Sequence, residues 1–318
     1  MKPFFTVVIP TYNRAGVLGR ALSSVLGQSF PDFELIVVDD GSTDNTKEVI
    51  FSFADKRIRY LPLLHNQGVN TARNVGVRAA RGEWVAFLDS DDEYMPEALN
   101  TMRKYIRGAS DSVGVLFFPA YNATTDQVTG YNPGIKKKVG SVTLIPYEDM
   151  VLKRNIVGDM TSCVSSRVFQ GRCWFPEEIN GLEALFWARV AKRRKILFVN
   201  EIIEVRHYDT GHQLHAERLS LRYPEAVAKA LEEHLLEHRR VFSCYSDYLA
   251  KICTRIAFCH ALSGQRKAAL EWTWKGLRVS QTRVLPALKR IIPAILLGQR
   301  LRAYLLQRSG RGDRDTKC

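Results

Sequence analysis

Three aspartates, Asp89, Asp91 and Asp92, lie within four positions directly after the apolar run WVAFL. Their mutual repulsion favours a cation nearby. In an extended segment alternate side chains point to the same side, so Asp89 and Asp91 are placed to share one divalent cation and its phosphate ligands. The same aspartates also suit solvated carboxylates at the start of a helix near Pro96, and both interpretations stay open. A calcium loop is disfavoured, because its glycine and terminal glutamate are missing.

A second acidic pair, Asp39 and Asp40, follows the apolar run LIVV. Gly41 permits a tight turn, and residues 42–45 begin the next helix. Carboxylate oxygens at this point are hydrogen-bond acceptors for a base or a ribose. The same pattern also fits an ordinary strand, turn and helix N-cap, so the pair by itself is compatible with either interpretation.

The elements that position these carboxylates alternate between strand and helix. Apolar segments predict strands at 4–10, 33–40, 58–63, 83–89 and 113–118. They are apolar on both faces, as strands of a covered parallel sheet are. Helix signals lie between them, at 15–27, 45–54, 69–80 and 96–107. They include Asn45 and Glu48 as a capping pair and Pro96 in a first turn. The alternation predicts a doubly wound, Rossmann-like, mostly parallel α/β sheet with the acidic clusters at the carboxyl ends of its strands.

The remainder of the chain carries different signals. They predict surface turns over 120–145, a helix over 181–194 and a strand over 195–208. After residue 215 every signal is helical, including a hairpin of the tetratricopeptide kind that turns at Ser263 and Gly264. We therefore expect an α/β domain over 1–212 and a basic, α-helical C-terminal extension over 213–318.

Positive charge is concentrated at the C-terminus. The chain has 46 Lys and Arg against 33 Asp and Glu, a net charge of +13, and residues 278–318 carry ten basic and two acidic residues. Such an excess attracts nucleic acid, phosphorylated metabolites or an anionic membrane surface. No recognition motif of aromatic and basic residues accompanies it, which argues against nucleic acid as a partner.

The basic tail also contains apolar residues at helical spacing. They are Val284, Leu288, Ile291, Ile292 and Ile295, and the cations around them are Lys289, Arg290, Arg300, Arg302 and Arg308. This pattern predicts either a helix lying on an anionic membrane or an amphipathic helix packed on the preceding domain. Because each basic residue contributes on the order of 1 kcal/mol at such a surface, the cluster is sufficient for peripheral attachment.

The cysteines and the apolar runs bear on location. The six cysteines form no C-x-x-C pair and no zinc-like spacing, so a reducing, cytoplasmic location is expected. The segment FFTVVIP is too short for a signal peptide, and no apolar run reaches the roughly 18 residues that span a membrane. A dehydrogenase is disfavoured, since its G-x-G-x-x-G is missing.

Four motifs occur along the chain in the order VVIPTYNR, ELIVVDDGSTDNT, NQGVNTARNVGVRAARGEWVAFLDSDD and GLEALFWARVAKRRKILFVNE. In this order and spacing the chain resembles family 2 glycosyltransferases over residues 4–210. The resemblance implies a GT-A fold and inversion at the anomeric carbon of a nucleotide-activated sugar, with a uridine diphosphate sugar favoured. It also implies Mn²⁺ or Mg²⁺ as the cofactor.

The resemblance assigns roles to individual residues. Those expected around the nucleotide sugar are Pro10, Thr11, Tyr12, Arg14, Asp39, Asp40, Arg73 and Asp89. Asp91 is expected to coordinate the metal, with Asp89 contacting the ribose, metal-bound water or the donor sugar. His207 is expected either as a further metal ligand or as a polar contact in the acceptor cleft.

Glu183 occupies the position of the general base. The family usually has a Glu-Asp pair before a W-x-R-x-A helix, and here that pair is Leu182 and Glu183 in GLEALFWARVA. Glutamate keeps the carboxylate but extends it by one methylene, so its reach must be regained by backbone or acceptor placement. The alternative is a first-turn carboxylate that complements the helix dipole.

These implications together describe a metal-dependent inverting transferase that moves a sugar to a hydroxyl of a glycan acceptor. We expect a lipid-linked acceptor, in surface polysaccharide biosynthesis at the inner face of the plasma membrane. Two alternatives remain. One is an inactive scaffold that binds nucleotide sugar, since Leu182 replaces an acid. The other is a sugar nucleotidyltransferase, which needs a glycine-rich basic loop after the first strand to bind a triphosphate, whereas this chain has PTYNRAG there.

Overall fold

The fold is described from a computed structural model, which covers residues 2–131, 138–158, 160–171, 173–179, 181–207 and 216–312. The chain divides into two compact units, Met1–His212 and Gln213–Cys318. Two predicted features lie partly outside the described residues, namely the end of the 195–208 strand and the side chain of Arg308.

The elements are numbered in chain order. The strands are β1 Phe5–Thr11, β2 Phe33–Asp39, β3 Ile58–Pro62, β4 Trp84–Phe87, β5 Glu93–Tyr94, β6 Val113–Phe118, β7 Ala120–Asn122, β8 Gln127–Val128, β9 Gly130–Tyr131, β10 Val142–Ile145, β11 Ile156–Val157, β12 Thr161–Ser165, β13 Lys195–Val199 and β14 Glu204–Arg206. The helices are α1 Leu18–Leu26, α2 Thr46–Ser52, α3 Val69–Ala79, α4 Ala98–Arg107, α5 Tyr147–Leu152, α6 Ser166–Gln170, α7 Glu183–Ala191, α8 Ala216–Arg222, α9 Pro224–Glu237, α10 Arg239–Cys244, α11 Ser246–Leu262, α12 Arg266–Val279, α13 Gln281–Leu297 and α14 Gln299–Gly312.

The main sheet of the first unit is mostly parallel. In the described part of the chain it has eight strands, in the order β10, β13, β6, β12, β4, β1, β2 and β3. Strands β12 and β10 run antiparallel to their neighbours, whereas β1 pairs in parallel with both β2 and β4. In the sheet, β2 lies on one side of β1, and β4, which comes later in the chain, lies on the other side. The carboxyl ends of β1 and β4 therefore flank a topological switch point, where ligands of such sheets bind.

Alternate residues of the central strands are buried on opposite faces of this sheet. Phe5, Val7 and Ile9 of β1 pack with α1 and α4. Val8, together with Ile36 of β2, packs with α3 and α7 on the other face. Both faces are covered, so the central strands are mostly apolar on both faces. Burial of each such side chain contributes about 1.5–3 kcal/mol, which makes this sheet the rigid support of its loops.

Four local predictions are corrected by the structure. The predicted strand over 195–208 is two strands, β13 in the main sheet and β14 in a small sheet with β5 and β7. The segment 120–145 contains strands as well as turns, and its β10 forms an edge of the main sheet. Asn45 makes no side-chain cap bond, because Asp44 accepts the N–H of Thr46 instead. Helix α4 begins at Ala98, so Pro96 precedes its first turn.

Glu34 is a buried carboxylate at the opposite end of β2 from the acidic pair. Its oxygens accept hydrogen bonds from the Thr6 hydroxyl at 2.8 Å and from Arg59 and Arg81, each at 2.8–2.9 Å. Burial acts to raise the pKa of Glu34, but these donors together outweigh burial and hold the pKa below its ordinary value. The ion pairs therefore stabilise the fold only while Glu34 is ionised.

Replacing Glu34 with glutamine is expected to lower the free energy of unfolding by about 2 kcal/mol at pH 7, because its charged hydrogen bonds to Arg59 and Arg81 are lost while the two arginines remain partly exposed. The folded pKa lies below the unfolded value near 4.3, so this stability is present above that pH and is lost as the pH falls through the folded pKa. Urea unfolding of wild type and variant at pH 7 and in acid measures the difference, with the exposed Glu83→Gln as control. An equal difference at both pH values would contradict the assignment.

The second unit is helical. The predicted hairpin is confirmed, since α11 and α12 flank a turn in which Gly264 has φ 83°. Helix α13 packs on both of them, and a Cβ at Gly276 would lie 3.1 Å from Val284 Cγ2. No helix in the described ranges is long and apolar enough to cross a membrane.

The apolar spacing of α13 serves this packing. Val284 and Ile291, which were predicted to lie either on a membrane or against protein, are buried within the unit, so for these two residues the structure favours packing against protein. Ile292 is 50% exposed. Arg302, predicted as a surface cation, donates to the carbonyl oxygens of Leu221 and Arg222 at 2.8 and 2.7 Å. An amphipathic helix buries its apolar face against neighbouring helices, so the residues of that face are not available to a membrane or another partner.

Candidate active site

The loops after β1 and β2 are joined by hydrogen bonds. The N–H of Asn13 donates to the Ser42 hydroxyl at 2.9 Å, and the N–H of Thr43 donates to Asn13 Oδ1 at 2.8 Å. The N–H of Ala15 donates to Asp44 at 3.1 Å. Asn13 has φ 51°, a conformation that asparagine tolerates better than most residues. The two loops thus form one rim at the carboxyl ends of these strands.

Three of the predicted nucleotide-binding residues lie at the end of β1 or directly after it, at this rim. Pro10 and Thr11 are buried, whereas Tyr12 is 42% exposed. Within the described residues, the buried Thr11 hydroxyl oxygen has no hydrogen-bond partner. A buried hydroxyl without a partner is costly, and an exposed aromatic ring offers a face for stacking. Both groups are suited to a planar heterocyclic ligand.

Asp39 and Asp40 are both buried, and both accept hydrogen bonds within the protein. Asp39 accepts from the N–H of Ser42 at 2.9 Å and from the Tyr60 hydroxyl at 2.8 Å. Asp40 accepts from two N–H groups that precede α3, at 2.8 and 2.7 Å. Burial, reinforced by the charge of Asp39, raises the pKa of Asp40 despite these two donors. Contact of either carboxylate with a base or ribose stays a prediction.

Asp89 follows β4 at the same rim and pairs with Arg73 of α3. The distance from Arg73 Nη2 to Asp89 Oδ1 is 2.8 Å. Burial acts to raise the pKa of Asp89, but the charges of Arg73, Arg206 and Arg14 outweigh it and hold the pKa below its ordinary value. The carboxylate side chain is 46% exposed, so an ionised oxygen is available to a ligand.

Asp91 lies beside two arginines from the start of the chain. Arg14 Nη2 is 3.8 Å from Asp91 Oδ2, and Arg20 of α1 donates to the Asp91 carbonyl oxygen. Cations therefore surround the acidic run, as its composition predicts. Arg20 was missed by the sequence analysis, because only the packing of α1 turns that residue towards the rim.

Glu183 begins α7 and reaches the same guanidinium as Asp89. Arg73 Nη1 lies 3.4 Å from Glu183 Oε1, which also accepts from the N–H of Gly181 at 3.2 Å. The Glu183 side chain is 27% exposed. One arginine thus joins the predicted base to the carboxylate at the end of β4.

Helix α3 also holds the segment that leads into α7. Asn74 donates to the carbonyl oxygen of Phe175 at 2.9 Å and accepts from its N–H at 3.1 Å. Asn70 donates to the carbonyl oxygen of Pro176 at 2.9 Å. These asparagines lie on either side of Arg73 in sequence. The same helix therefore positions both the arginine and the segment that carries the predicted base.

A buried charge cluster lies behind the acidic run. Arg206 Nε of β14 is 2.7 Å from Glu204 and 3.9 Å from Asp92. Burial, with the charges of Glu204 and Asp89, raises the pKa of Asp92, and burial also raises that of Glu204. Burial alone would lower the pKa of Arg206, but the surrounding carboxylates raise it. The sequence analysis missed this cluster, although charged residues two positions apart in a strand share one face.

His207 follows β14 and is engaged with the acidic segment. Its Nε2 lies 2.9 Å from Glu93 Oε1, and its N–H donates to Asp92 at 3.0 Å. Among the residues that the structure describes, no three His, Cys, Asp or Glu side chains converge as a metal site. Ligation by His207 stays a prediction. Asp89 and Asp91 still fit Mg²⁺ or Mn²⁺, which are commonly held by one or two carboxylates together with substrate phosphates.

A mostly parallel sheet with this strand order, and carboxylates and arginines at its switch point, defines the GT-A class of transferase folds. The family model for glycosyl transferase family 2 matches residues 6–165. The chain belongs to that family and is a glycosyltransferase that uses a nucleotide sugar. The fold expected from the sequence, including the helical C-terminal region, is confirmed.

The comparisons extend over most of the chain. The GalNAc(5)-diNAcBac-PP-undecaprenol beta-1,3-glucosyltransferase of Campylobacter jejuni is 30% identical over 303 residues, 92% of this chain and 94% of that protein. A crystal structure of S. aureus TarS in complex with UDP-GlcNAc has a TM-score of 0.64 at 20% identity, covering 96% of this chain and 92% of the other. The mannosyltransferase PcManGT of Pyrobaculum calidifontis, in complex with GDP-Man and Mn²⁺, has a TM-score of 0.56 at 16% identity, covering 96% and 86%.

Proposed function

We propose that this enzyme transfers a sugar, with inversion, from a uridine diphosphate sugar to a hydroxyl group of a glycan. The observation that carries the proposal is the position of Arg73, whose guanidinium contacts Asp89 at 2.8 Å and Glu183 at 3.4 Å. This contact brings a carboxylate from α7 to the rim that holds the acidic run. An inverting transfer needs such a pair of sites, one for the leaving diphosphate and one for the attacking hydroxyl.

The end of β1 suits the nucleoside half of the donor. We expect Thr11, whose buried hydroxyl has no partner among the described residues, to contact the base, and the exposed ring of Tyr12 to stack on it. Each carboxylate oxygen of Asp39 and Asp40 already accepts one hydrogen bond within the protein. Because such an oxygen has two lone pairs, it can accept a second hydrogen bond from the base or the ribose. The UDP-GlcNAc complex of the structural relative TarS supports uridine as the base.

Asp91 and Asp89 would hold Mn²⁺ or Mg²⁺ together with the donor diphosphate. When bound, such an ion stabilises the negative charge that develops on the leaving phosphate. Arg14 and Arg20 add positive charge on the same side of the acidic run. The Mn²⁺ in the mannosyltransferase from Pyrobaculum supports this choice of cofactor.

Glu183 takes the proton of the acceptor hydroxyl as the oxygen attacks the anomeric carbon opposite the diphosphate. A new bond from that carbon to the acceptor oxygen forms while the bond to the diphosphate oxygen breaks. Arg73 and the N–H of Gly181 hold the carboxylate in place for this step. We expect the extra methylene of glutamate to be offset by the position of the preceding segment, which Asn70 and Asn74 hold through the carbonyl oxygens of Pro176 and Phe175.

The acceptor is a lipid-linked glycan in surface polysaccharide biosynthesis, at the inner face of the plasma membrane. The name of the Campylobacter relative, which acts on an undecaprenol-linked glycan, supports this choice. The basic C-terminal unit supplies positive charge for peripheral attachment to an anionic leaflet.

The proposal is tested by measuring thermal stability and donor hydrolysis of the full-length enzyme with Mn²⁺ and each member of a panel of UDP-sugars and GDP-sugars. A binding donor at a hundred times its Kd raises the free energy of unfolding by about 2.7 kcal/mol, which a thermal melt detects. We expect one UDP-sugar to stabilise the enzyme and to be slowly hydrolysed. Stabilisation by GDP-sugars alone would reject uridine, and stabilisation without any turnover would indicate an inactive scaffold.

A further inference from the structure

Helix α13 has a second apolar stripe, on a different side from the one that it buries. Leu285, Ile292 and Leu296 follow the spacing i, i+7 and i+11, and are 55%, 50% and 66% exposed. Val284 and Ile291, each one position earlier, are buried within the unit. Packing within the second unit therefore buries the stripe that contains Val284 and Ile291. It leaves the stripe of Leu285, Ile292 and Leu296 in contact with solvent, which is unfavourable unless a partner covers it.

The neighbouring helix α12 adds exposed apolar surface. Leu270 and Trp274, one turn apart, are each 57% exposed. The Arg278 guanidinium lies 5.2 Å from the Trp274 ring centroid. Tryptophan beside a basic side chain is typical of the interface between lipid headgroups and acyl chains, where its amphipathic ring is stable.

The charge around these exposed apolar residues indicates which kind of partner covers them. Residues 266–312 contain eleven Lys and Arg, and Glu271 is their single acidic residue. Lys267 and Lys289 are exposed on the same two helices. Apolar side chains flanked almost wholly by cations match an anionic bilayer, into which the apolar groups insert while the cations meet the headgroups. A second copy of the chain would instead bring two sets of like charges together.

We propose that the lipid-facing stripe, Leu285, Ile292 and Leu296 of α13, together with Trp274 of α12, lies in the surface of an anionic bilayer. The helices lie along the membrane and hold the enzyme where a lipid-linked acceptor is presented. This acceptor rests on the function proposed above. The attachment itself depends only on the second unit.

Flotation of the full-length enzyme with vesicles tests the proposal. One set of vesicles is phosphatidylcholine alone, and in the other about a third of the lipid is phosphatidylglycerol. We expect binding to the anionic vesicles only, weakened by salt. Ile292→Glu and Leu296→Glu should each reduce it about tenfold, since an inserted apolar group becomes a charge of the wrong sign. Lys289→Glu should reduce it by at least about fivefold, the effect of losing one basic residue.

The matched controls are on α9, where Leu236 is 68% exposed and Lys229 is also exposed. Leu236→Glu and Lys229→Glu should bind vesicles as the wild type does. Equal binding of Ile292→Glu and wild type would overturn the proposal, as would equal binding to neutral and anionic vesicles. So would a wild-type dimer that Ile292→Glu converts to a monomer without any change in vesicle binding.

Hydrolysis of the UDP-sugar in solution separates this inference from the proposed function. Ile292→Glu should hydrolyse the donor at the wild-type rate, because the residues named above for the candidate active site all belong to the first unit. A wild-type enzyme that floats with anionic vesicles but hydrolyses no UDP-sugar would sink the proposed function alone. An enzyme that hydrolyses the donor but does not float would overturn the attachment and leave the proposed sugar transfer standing.

Discussion

Glu183→Gln is expected to lower kcat for sugar transfer by about a thousandfold, within the range for loss of a general base. Glutamine has nearly the same shape but cannot take the proton of the acceptor hydroxyl. Arg73 keeps its 2.8 Å contact with Asp89 in this variant, so binding of the UDP-sugar should be unchanged. Single-turnover transfer measures the rate, and a thermal-shift titration with the donor and Mn²⁺ measures binding.

The control for this substitution is Glu178→Gln, which neutralises an exposed glutamate in the segment before α7. Its kcat should equal that of the wild type. Glu183→Asp keeps a carboxylate and should retain far more activity than the glutamine variant, with the loss reflecting the shorter reach. A near-normal rate for Glu183→Gln would mean that another group takes the proton.

Asp91→Asn is expected to lower kcat/KM by about a hundred- to a thousandfold, as the loss of one electrostatic partner in a preorganised site does. The amide keeps the size of the side chain but is a much weaker ligand for Mn²⁺ or Mg²⁺. Stabilisation of the enzyme by the donor with Mn²⁺ should be lost as well. The free energy of unfolding without ligands is measured in parallel, so that loss of donor binding is distinguished from loss of the fold.

Asp111→Asn is the matched control, since the Asp111 side chain is fully exposed. Its transfer rate and its dependence on Mn²⁺ should be those of the wild type. Chelator treatment should abolish transfer by the wild type, and added Mn²⁺ should restore it. Undiminished transfer in the presence of chelator would show that Asp91 does not act through a metal.

Contiguous patterns in the sequence were sufficient to predict much of the first unit. The strands β1 to β4 are apolar runs of the right length, and the acidic clusters follow them directly in the chain. The tight turn predicted at Gly41 has φ 77°, and a Cβ there would lie 2.7 Å from the backbone of His65. Such features depend on neighbours in sequence, so local propensity and periodicity are enough to find them.

The tail shows where a pattern leaves two outcomes open. The apolar spacing of α13 predicts an amphipathic helix, and that helix is present. Periodicity does not distinguish a face buried against protein from a face lying on lipid, because both are apolar stripes. The structure places Val284 and Ile291 in the unit's own core and leaves Ile292 exposed.

The sequence by itself determined the strand and helix alternation, the carboxylates at the strand ends and the family to which the chain is similar. Only the tertiary structure decided that Arg73 contacts both Asp89 and Glu183, and that β14 carries Arg206 beneath the acidic run. The physical reason is that the contacts of Arg73 with Glu183 and of Arg206 with Asp92 join residues more than a hundred positions apart. They depend on how α3 packs against the segment before α7 and on the pairing of β14 with β5, which no local pattern encodes.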